Sequence, residues 1–248
     1  MDIKSMTFEE LNSWVIEQGF PKFRTKQIYD WIHKKLVRDV EDMTNIPENI
    51  KTLIKKQGMY GVVQRERLIS EVDGTNKFIF ELHDGQIIES VLMKYKHGNS
   101  VCISSQAGCR MGCRFCASTL LGLARNLETS EMLDQIYYIQ HITGERVSNV
   151  VVMGTGEPLD NFDNLTKFID MLSDEQGINI SQRNITVSSC GIVPRIKELA
   201  DKEYAITFAL SLHAPTDEER KELMPIANKY TIAQTLDACN YYLAIGIS

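Results

Sequence analysis

The stretch 108-GCRMGCRFCAS-118 places three cysteines within eight residues of a chain whose only others are Cys102, Cys190 and Cys239. Thiols crowded this way bind metal or react, and both uses need a fold that gathers them. The residues just upstream, 101-VCISS-105, read as a short β-strand, and from there the pattern is strand, loop, helix, repeated. Further strand runs are 149-NVVVMG-154, 184-NITVSS-189 and 205-AITFALSL-212. Helical spacing falls near residues 129–142, 162–173, 193–202, 216–222 and 231–243. The strands are β-branched and continuously apolar, which predicts a parallel α/β unit over 101–248 with helices on both faces.

Upstream the pattern changes twice. Residues 1–58 carry apolar residues at helical spacing (Phe8, Leu11, Val15; Ile28, Trp31, Ile32, Leu36), broken at Gly19, Pro21 and Pro47, and predict a small helical domain. Residues 59–100 alternate, as in 77-KFIFEL-82 and 87-IIESVLM-93, with Asp73-Gly74 and Asp84-Gly85 as hairpin turns, and predict a short β-meander. At 248 residues and 43% apolar composition the chain can bury a sizeable core. No run of eighteen apolar residues and no secretory signal is present, so the expectation is a cytoplasmic, monomeric protein without membrane association, in a compartment that keeps thiols reduced. The net charge of −6 is unevenly spread: 22-KFRTKQIYDWIHKKLVR-38 holds six Lys or Arg against one Asp, with Phe23, Tyr29 and Trp31 interleaved. That run is a candidate phosphate-facing surface or a solvated helix face.

In parallel α/β folds ligands collect where strands end. Here the four strands run into the cysteines, 154-GTGEP-158, 188-SSCG-191 and 211-SLHAP-215. Cys109, Cys113 and Cys116 have the spacing C-x3-C-x2-C. Structural zinc wants four ligands, and a Cys3His site completed by His97, His141 or His213 stays open. Iron–sulfur clusters also take thiolates, and three of them would leave one iron free for a substrate or cofactor.

C-x3-C-x2-C after the first strand resembles the radical S-adenosylmethionine enzymes. Their fold is a partial (β/α)6 TIM-like barrel, here expected to be incomplete at the C-terminus. A narrower resemblance rests on 100-SVCISSQAGCRMGCRFCAS-118, 125-RNL-127, 151-VVMGTGEPL-159, 186-TVSSCGIVP-194, 210-LSLHAP-215 and the PKFRTKQIYDWI segment at 21–32. Together these look like the RlmN family, which methylates carbon 2 of an adenosine in 23S ribosomal RNA and in transfer RNA. The sister family acting at carbon 8 usually reads CAT and GEA where this chain has CAS and GEP.

The resemblance implies one [4Fe-4S] cluster on Cys109, Cys113 and Cys116, and S-adenosylmethionine held by Gly156, Glu157, Ser188, Ser211, Leu212 and His213. It implies Glu89 as the base that takes the ring proton and Cys102 as the thiol that releases a protein–RNA crosslink, with a disulfide as that thiol's product. An electron donor such as flavodoxin or ferredoxin would be a partner, besides 23S rRNA and tRNA. The methyl-carrying cysteine of the family has no counterpart in this sequence. Neither Cys190 nor Cys239 sits in a matching context, so the expectation is a fragment inactive in methyl transfer. A non-catalytic, metal-containing RNA-binding module is the competing class.

Overall fold

The structure, a computed structural model, describes residues 2–96 and 98–245. The helical unit comprises α1 (Phe8–Glu17), α2 (Phe23–His33) and α3 (Glu48–Gln57). Thr7 caps α1 in a reciprocal box with Glu10, which satisfies two N-terminal amides and starts the helix where the apolar spacing starts. Leu11 and Val15 of α1 then bury against Ile28 and Ile32 of α2 and Ile50 and Ile54 of α3, in a core of its own.

The strands β1 (Val63–Ile69), β2 (Asn76–Glu81), β3 (Ile87–Tyr95) and β4 (Gly98–Ile103) form an antiparallel meander. Three parallel strands, β7 (Val147–Val152), β8 (Ile185–Ser189) and β9 (Thr207–Leu210), extend the same sheet beyond β4, in the order β1-β2-β3-β4-β7-β8-β9. The sheet is therefore mixed and open among the described residues: four parallel strands continue an antiparallel edge. A second, two-stranded sheet of β5 (Gln106–Gly108) and β6 (Leu123–Asn126) was not legible in the sequence, because both strands are too short to show a period.

Five helices accompany the parallel strands: α4 (Thr129–Thr143), α5 (Phe162–Ser173), α6 (Val193–Ala200), α7 (Asp217–Leu223) and α8 (Ile232–Ile245). Cover on both faces, expected from the apolar runs, is not what forms. Val101, Ile103, Val150, Val152, Ile185 and Val187 are fully buried in one core with residues of α4, α5, α6 and α8. The alternate residues Cys102, Val151 and Thr186 are only half-buried. Val151 suits a strand by its branched shape and not by burial, which is why the run read as two-sided. No described helix is long and apolar enough to cross a membrane.

Buried polar contacts lock the helical unit to α4 and α5. Asp134 of α4 accepts from Lys4 Nζ at 2.8 Å, from Arg38 Nη1 at 3.2 Å and from the Val62 amide at 2.7 Å. The Tyr29 hydroxyl donates to Asp174 at 2.7 Å. His33 is fully buried with Nδ1 2.8 Å from the Tyr137 hydroxyl and Nε2 unpartnered. Burial and the nearby Lys4 ammonium lower the His33 pKa to about 3. Its folded pKa lies below the unfolded value near 6.5, so the unfolded chain binds this proton first as pH falls, and stability is lost below about pH 6. Asp2, raised to about 6 by burial, acts in the opposite sense and is common to wild type and variant. Against His33→Gln, the wild type should lose about 1.4 kcal/mol per pH unit between pH 6 and 4, measured by urea unfolding. Parallel pH profiles would show that His33 is not held neutral.

Candidate active site

The cysteines occupy residues 109–122, a loop closed at its base by the β5–β6 ladder, with Gln106 opposite Asn126 and Gly108 opposite Leu123. Gly108 has φ +76°, and a Cβ there would lie 2.0 Å from the Gly122 carbonyl oxygen, so only glycine lets the two strands close. The Cys109 amide donates to that same carbonyl at 3.0 Å. The Arg114 amide donates to the Leu223 carbonyl at 2.9 Å, which ties the loop to the end of α7.

The loop forms one wall of a cavity of ≈ 130 Å³. Cys109, Cys113 and Cys116 face it together with Gly156, Glu157, Ser188, Ser211 and His213. Those eight candidates come from the ends of all four parallel strands. Leu212 does not line the cavity; its carbonyl accepts from Arg220 Nε at 3.2 Å. Glu89 faces a different cleft, with Gly85, Ala117, Leu121 and Thr155, and ion-pairs with Lys77 at 2.8 Å. Cys102 lies on β4 between Val91 and Val151, outside both cavities, and burial raises its pKa. All six cysteines are free thiols, so the disulfide implied by the resemblance is not formed: no cysteine stands opposite Cys102 in the sheet.

Burial raises the Cys109 and Cys113 thiols, Cys113 to about 11, and the neighbouring cysteines push in the same direction. Such mutually repelling thiols become thiolates only beside a strongly cationic centre, which is the chemistry of a metal cluster. Among the described residues no three His, Cys, Asp or Glu side chains converge closely enough for a single metal ion. Of the described histidines open as a fourth zinc ligand, His213 lines the cavity of the cysteines, whereas His141 lies in a different cleft with Lys34 and Lys35; His97 falls outside the described residues. A four-iron cluster would take the three thiolates on separate irons.

Glu157 is 4% exposed. Its carboxylate accepts from the Leu159 amide at 3.1 Å and the Cys190 amide at 2.8 Å, while burial pushes its pKa up. The Ser189 and Cys190 side chains also hydrogen-bond to this carboxylate, so a ligand ammonium would share it with these donors. The Ser188 and Ser211 hydroxyls lie 3.2 Å apart. His213 adopts a left-handed φ of 60°, rare for a residue with a side chain, and its ring lies 4.8 Å from that of Phe115 in the cysteine loop.

Several residues at this site went unread in the sequence. Arg220 is fully buried and donates from Nη2 to the Cys190 carbonyl at 2.6 Å as well as to Leu212, joining two strand-end loops. Gln106 is fully buried behind Gly156. Neither sits in a spacing that marks it; only the three-dimensional approach of separate loops does.

Residues 103–248 match the radical SAM superfamily, and residues 1–58 match the ribosomal RNA large subunit methyltransferase N-terminal domain. A protein of Lachnoclostridium phytofermentans described as "Probable dual-specificity RNA methyltransferase RlmN" is 60% identical over 243 residues, covering 98% of this chain and 68% of that protein. The chain belongs to the RlmN family. Relatives of the same description in Lachnospira eligens (60% identical) and Clostridium botulinum (56%) are covered over 69% and 71% of their length. The crystal structure of a radical SAM methyltransferase from Sphaerobacter thermophilus superposes with a TM-score of 0.94 at 34% identity, covering 99% of this chain and 73% of that one. RlmN-family membership carries with it a [4Fe-4S] cluster and S-adenosylmethionine as cofactors, and the donor set around the cavity fits both.

Gly156 sits at φ +107°, and a Cβ there would lie 2.5 Å from the Gln106 Cβ. Gly156→Ala should therefore destabilise the protein by about 2 kcal/mol through backbone strain and overlap. The check is the urea midpoint; an unchanged midpoint would mean that the loop relaxes freely.

Proposed function

We propose that this chain carries the cofactor-binding part of an activity that methylates carbon 2 of an adenosine in 23S ribosomal RNA and transfer RNA, with the cavity at the strand ends as the cofactor site and with no methyl-accepting cysteine assigned among its residues. The observation that carries the reading is that three cysteines of one loop and the buried Glu157 face one cavity. Cys109, Cys113 and Cys116 would hold the cluster, which together with S-adenosylmethionine supplies a 5′-deoxyadenosyl radical able to attack an unactivated C–H bond.

The protein's own part is to bind, orient and move protons. Glu157 is the buried carboxylate on the cavity wall that would take the amino group of the cofactor's methionine, a charge-assisted contact strengthened by burial. Ser188 and Ser211 offer paired hydroxyls on the same wall, and Phe115 with His213 forms an aromatic rim. Glu89, exposed on β3, is the carboxylate available to take the ring proton, and Cys102 the thiol available for release. Both lie away from the cofactor cavity. The wall between the two cavities is the loop after β7: Gly156 faces the cofactor side and Thr155 the side of Glu89.

For RNA, the basic run divides. Arg38 is consumed by Asp134, and Tyr29 is core. Lys34 and Lys35 line a cleft with His141 and Arg146, a cationic surface spanning the helical unit and the end of α4. A cytoplasmic location and reduction by flavodoxin or ferredoxin complete the reading.

Anaerobic reconstitution with iron and sulfide, then reductant and S-adenosylmethionine, should yield 5′-deoxyadenosine, abolished in Cys109→Ala, Cys113→Ala and Cys116→Ala and retained in Cys239→Ala. A colourless zinc protein without cleavage would instead support the RNA-binding module. Any methylated nucleoside should be 2-methyladenosine; 8-methyladenosine would move the chain to the sister chemistry.

Reversing Lys34 and Lys35 to Glu should weaken RNA binding and reduce the slope of log K against log salt by about 2, leaving 5′-deoxyadenosine formation unchanged. An unaltered slope would make these lysines ordinary solvated surface.

A further inference from the structure

Gln106 has no assigned part in the site, yet it is fully buried and all its amide donors are used on separate segments. Its Nε2 donates to Asn126 Oδ1 on β6 at 2.8 Å and to Asp160 Oδ2 at 3.1 Å; its Oε1 accepts from the Glu157 amide at 2.8 Å. The backbone follows the same course, with the Ser105 and Gln106 amides both donating to the Thr155 carbonyl. Asp160 is shared: Arg110, adjacent to Cys109, donates to it from Nε at 2.8 Å and from Nη2. An unbroken polar path thus runs from the residue beside Cys109, through Arg110, Asp160 and Gln106, to the peptide of Glu157.

We propose that Gln106 and Asp160, braced by Arg110, are positioning residues that fix the cysteine loop relative to Glu157, and so set where S-adenosylmethionine lies between them. The inference rests on the reading of the cavity given above. A ligand gripped at both ends is bound well only if the two grips keep their separation, and small displacements of such supports weaken binding disproportionately. The cysteine loop and the Glu157 loop belong to different strand ends and are joined by the Arg110–Asp160 ion pair, by the Ser105 and Gln106 amides on the Thr155 carbonyl, and by the Gln106 side chain. Of these, the Gln106 side chain is the one that reaches the Glu157 peptide itself.

Polarity makes the arrangement testable without removing a cysteine or Glu157. Gln106→Glu is isosteric but replaces both donors by acceptors and sets a carboxylate against Asp160, which is 10% exposed. Asp160→Asn in that background restores a donor–acceptor pair, because its amide can donate to the new carboxylate. Arg110 keeps its Nη2 contact to the remaining side-chain carbonyl oxygen and loses the one from Nε, so its brace to the cysteine loop is weakened but not removed.

Wild type, Q106E, D160N and Q106E/D160N are to be reconstituted and compared in three ways: iron per chain, the S-adenosylmethionine Kd from its effect on the electron paramagnetic resonance of the reduced cluster, and hydrogen exchange over residues 154–159 in the cluster-free chains. Equal iron in all four is expected. Q106E should raise Kd by about tenfold and speed exchange at the Glu157 amide, and the double variant should return Kd to within about threefold of wild type. Wild-type Kd in Q106E, or a double variant no tighter than Q106E, overturns the proposal, as does iron loss in Q106E equal to that of C109A. A wild-type cluster indifferent to S-adenosylmethionine defeats the reading of the cavity instead. The exchange arm then decides the coupling alone: unchanged exchange in Q106E overturns it.

Discussion

A carboxylate removed from water must find hydrogen-bond donors, and the manner in which Glu157 finds them organises this protein's catalytic end. Its two oxygens are met by the amides of Leu159, in its own turn, and of Cys190, at the end of the next strand. The second contact fixes the loop after β8 against the loop after β7, and the Cys190 carbonyl in turn receives the Arg220 guanidinium from α7. One desolvated acid thus sets the relative placement of three segments far apart in sequence. Each bond is modest in net worth, but leaving either amide or the acid unpaired in this environment would cost more than the bond itself contributes.

The one-sided packing of the sheet serves the same end. With α4, α5, α6 and α8 all on the face of Val101, Val150, Ile185 and Val187, the residues between them look the other way. Cys102, Val151 and Thr186 share that less covered face, and Ser188 continues it toward the strand ends. Ordinary aliphatic burial therefore supplies the rigidity on one side, while the side bearing functional groups remains reachable. The antiparallel strands β1–β3 prolong the sheet and bring Glu89 to the same neighbourhood by register with β2 and β4, where the Ser104 hydroxyl donates to the Glu89 carbonyl at 2.7 Å.

Much of this was legible from residue order, and the reasons are specific. The helix over 162–173 declares itself through Leu165, Phe168, Ile169 and Leu172, all fully buried, and the four parallel strands through their branched residues and the loops that end them. Gly156-Glu157 and the cysteines stand out because their chemistry is unusual where it occurs. The β5–β6 hairpin was hidden by its brevity, and the bareness of one sheet face by Val151, whose type is the same whether covered or not. Gln106 and Arg220 could not be found at all, since an isolated glutamine or arginine acquires its role only from loops that the fold brings to it. The basic run from Lys22 to Arg38 overstated its outward charge, because Arg38 turns inward to Asp134.

The hairpin at the base of the cysteine loop bears on how the site is filled. In small metal-binding modules the ion itself supplies the order, and chain folding and loading are one transition. Here the β5–β6 ladder, the Cys109 amide on the Gly122 carbonyl and the Arg114 amide on the Leu223 carbonyl close the loop through the main chain. These bonds offset part of the entropy of closing the loop without calling on a metal. Part of the order that a metal would otherwise impose is thus built into the chain's own backbone.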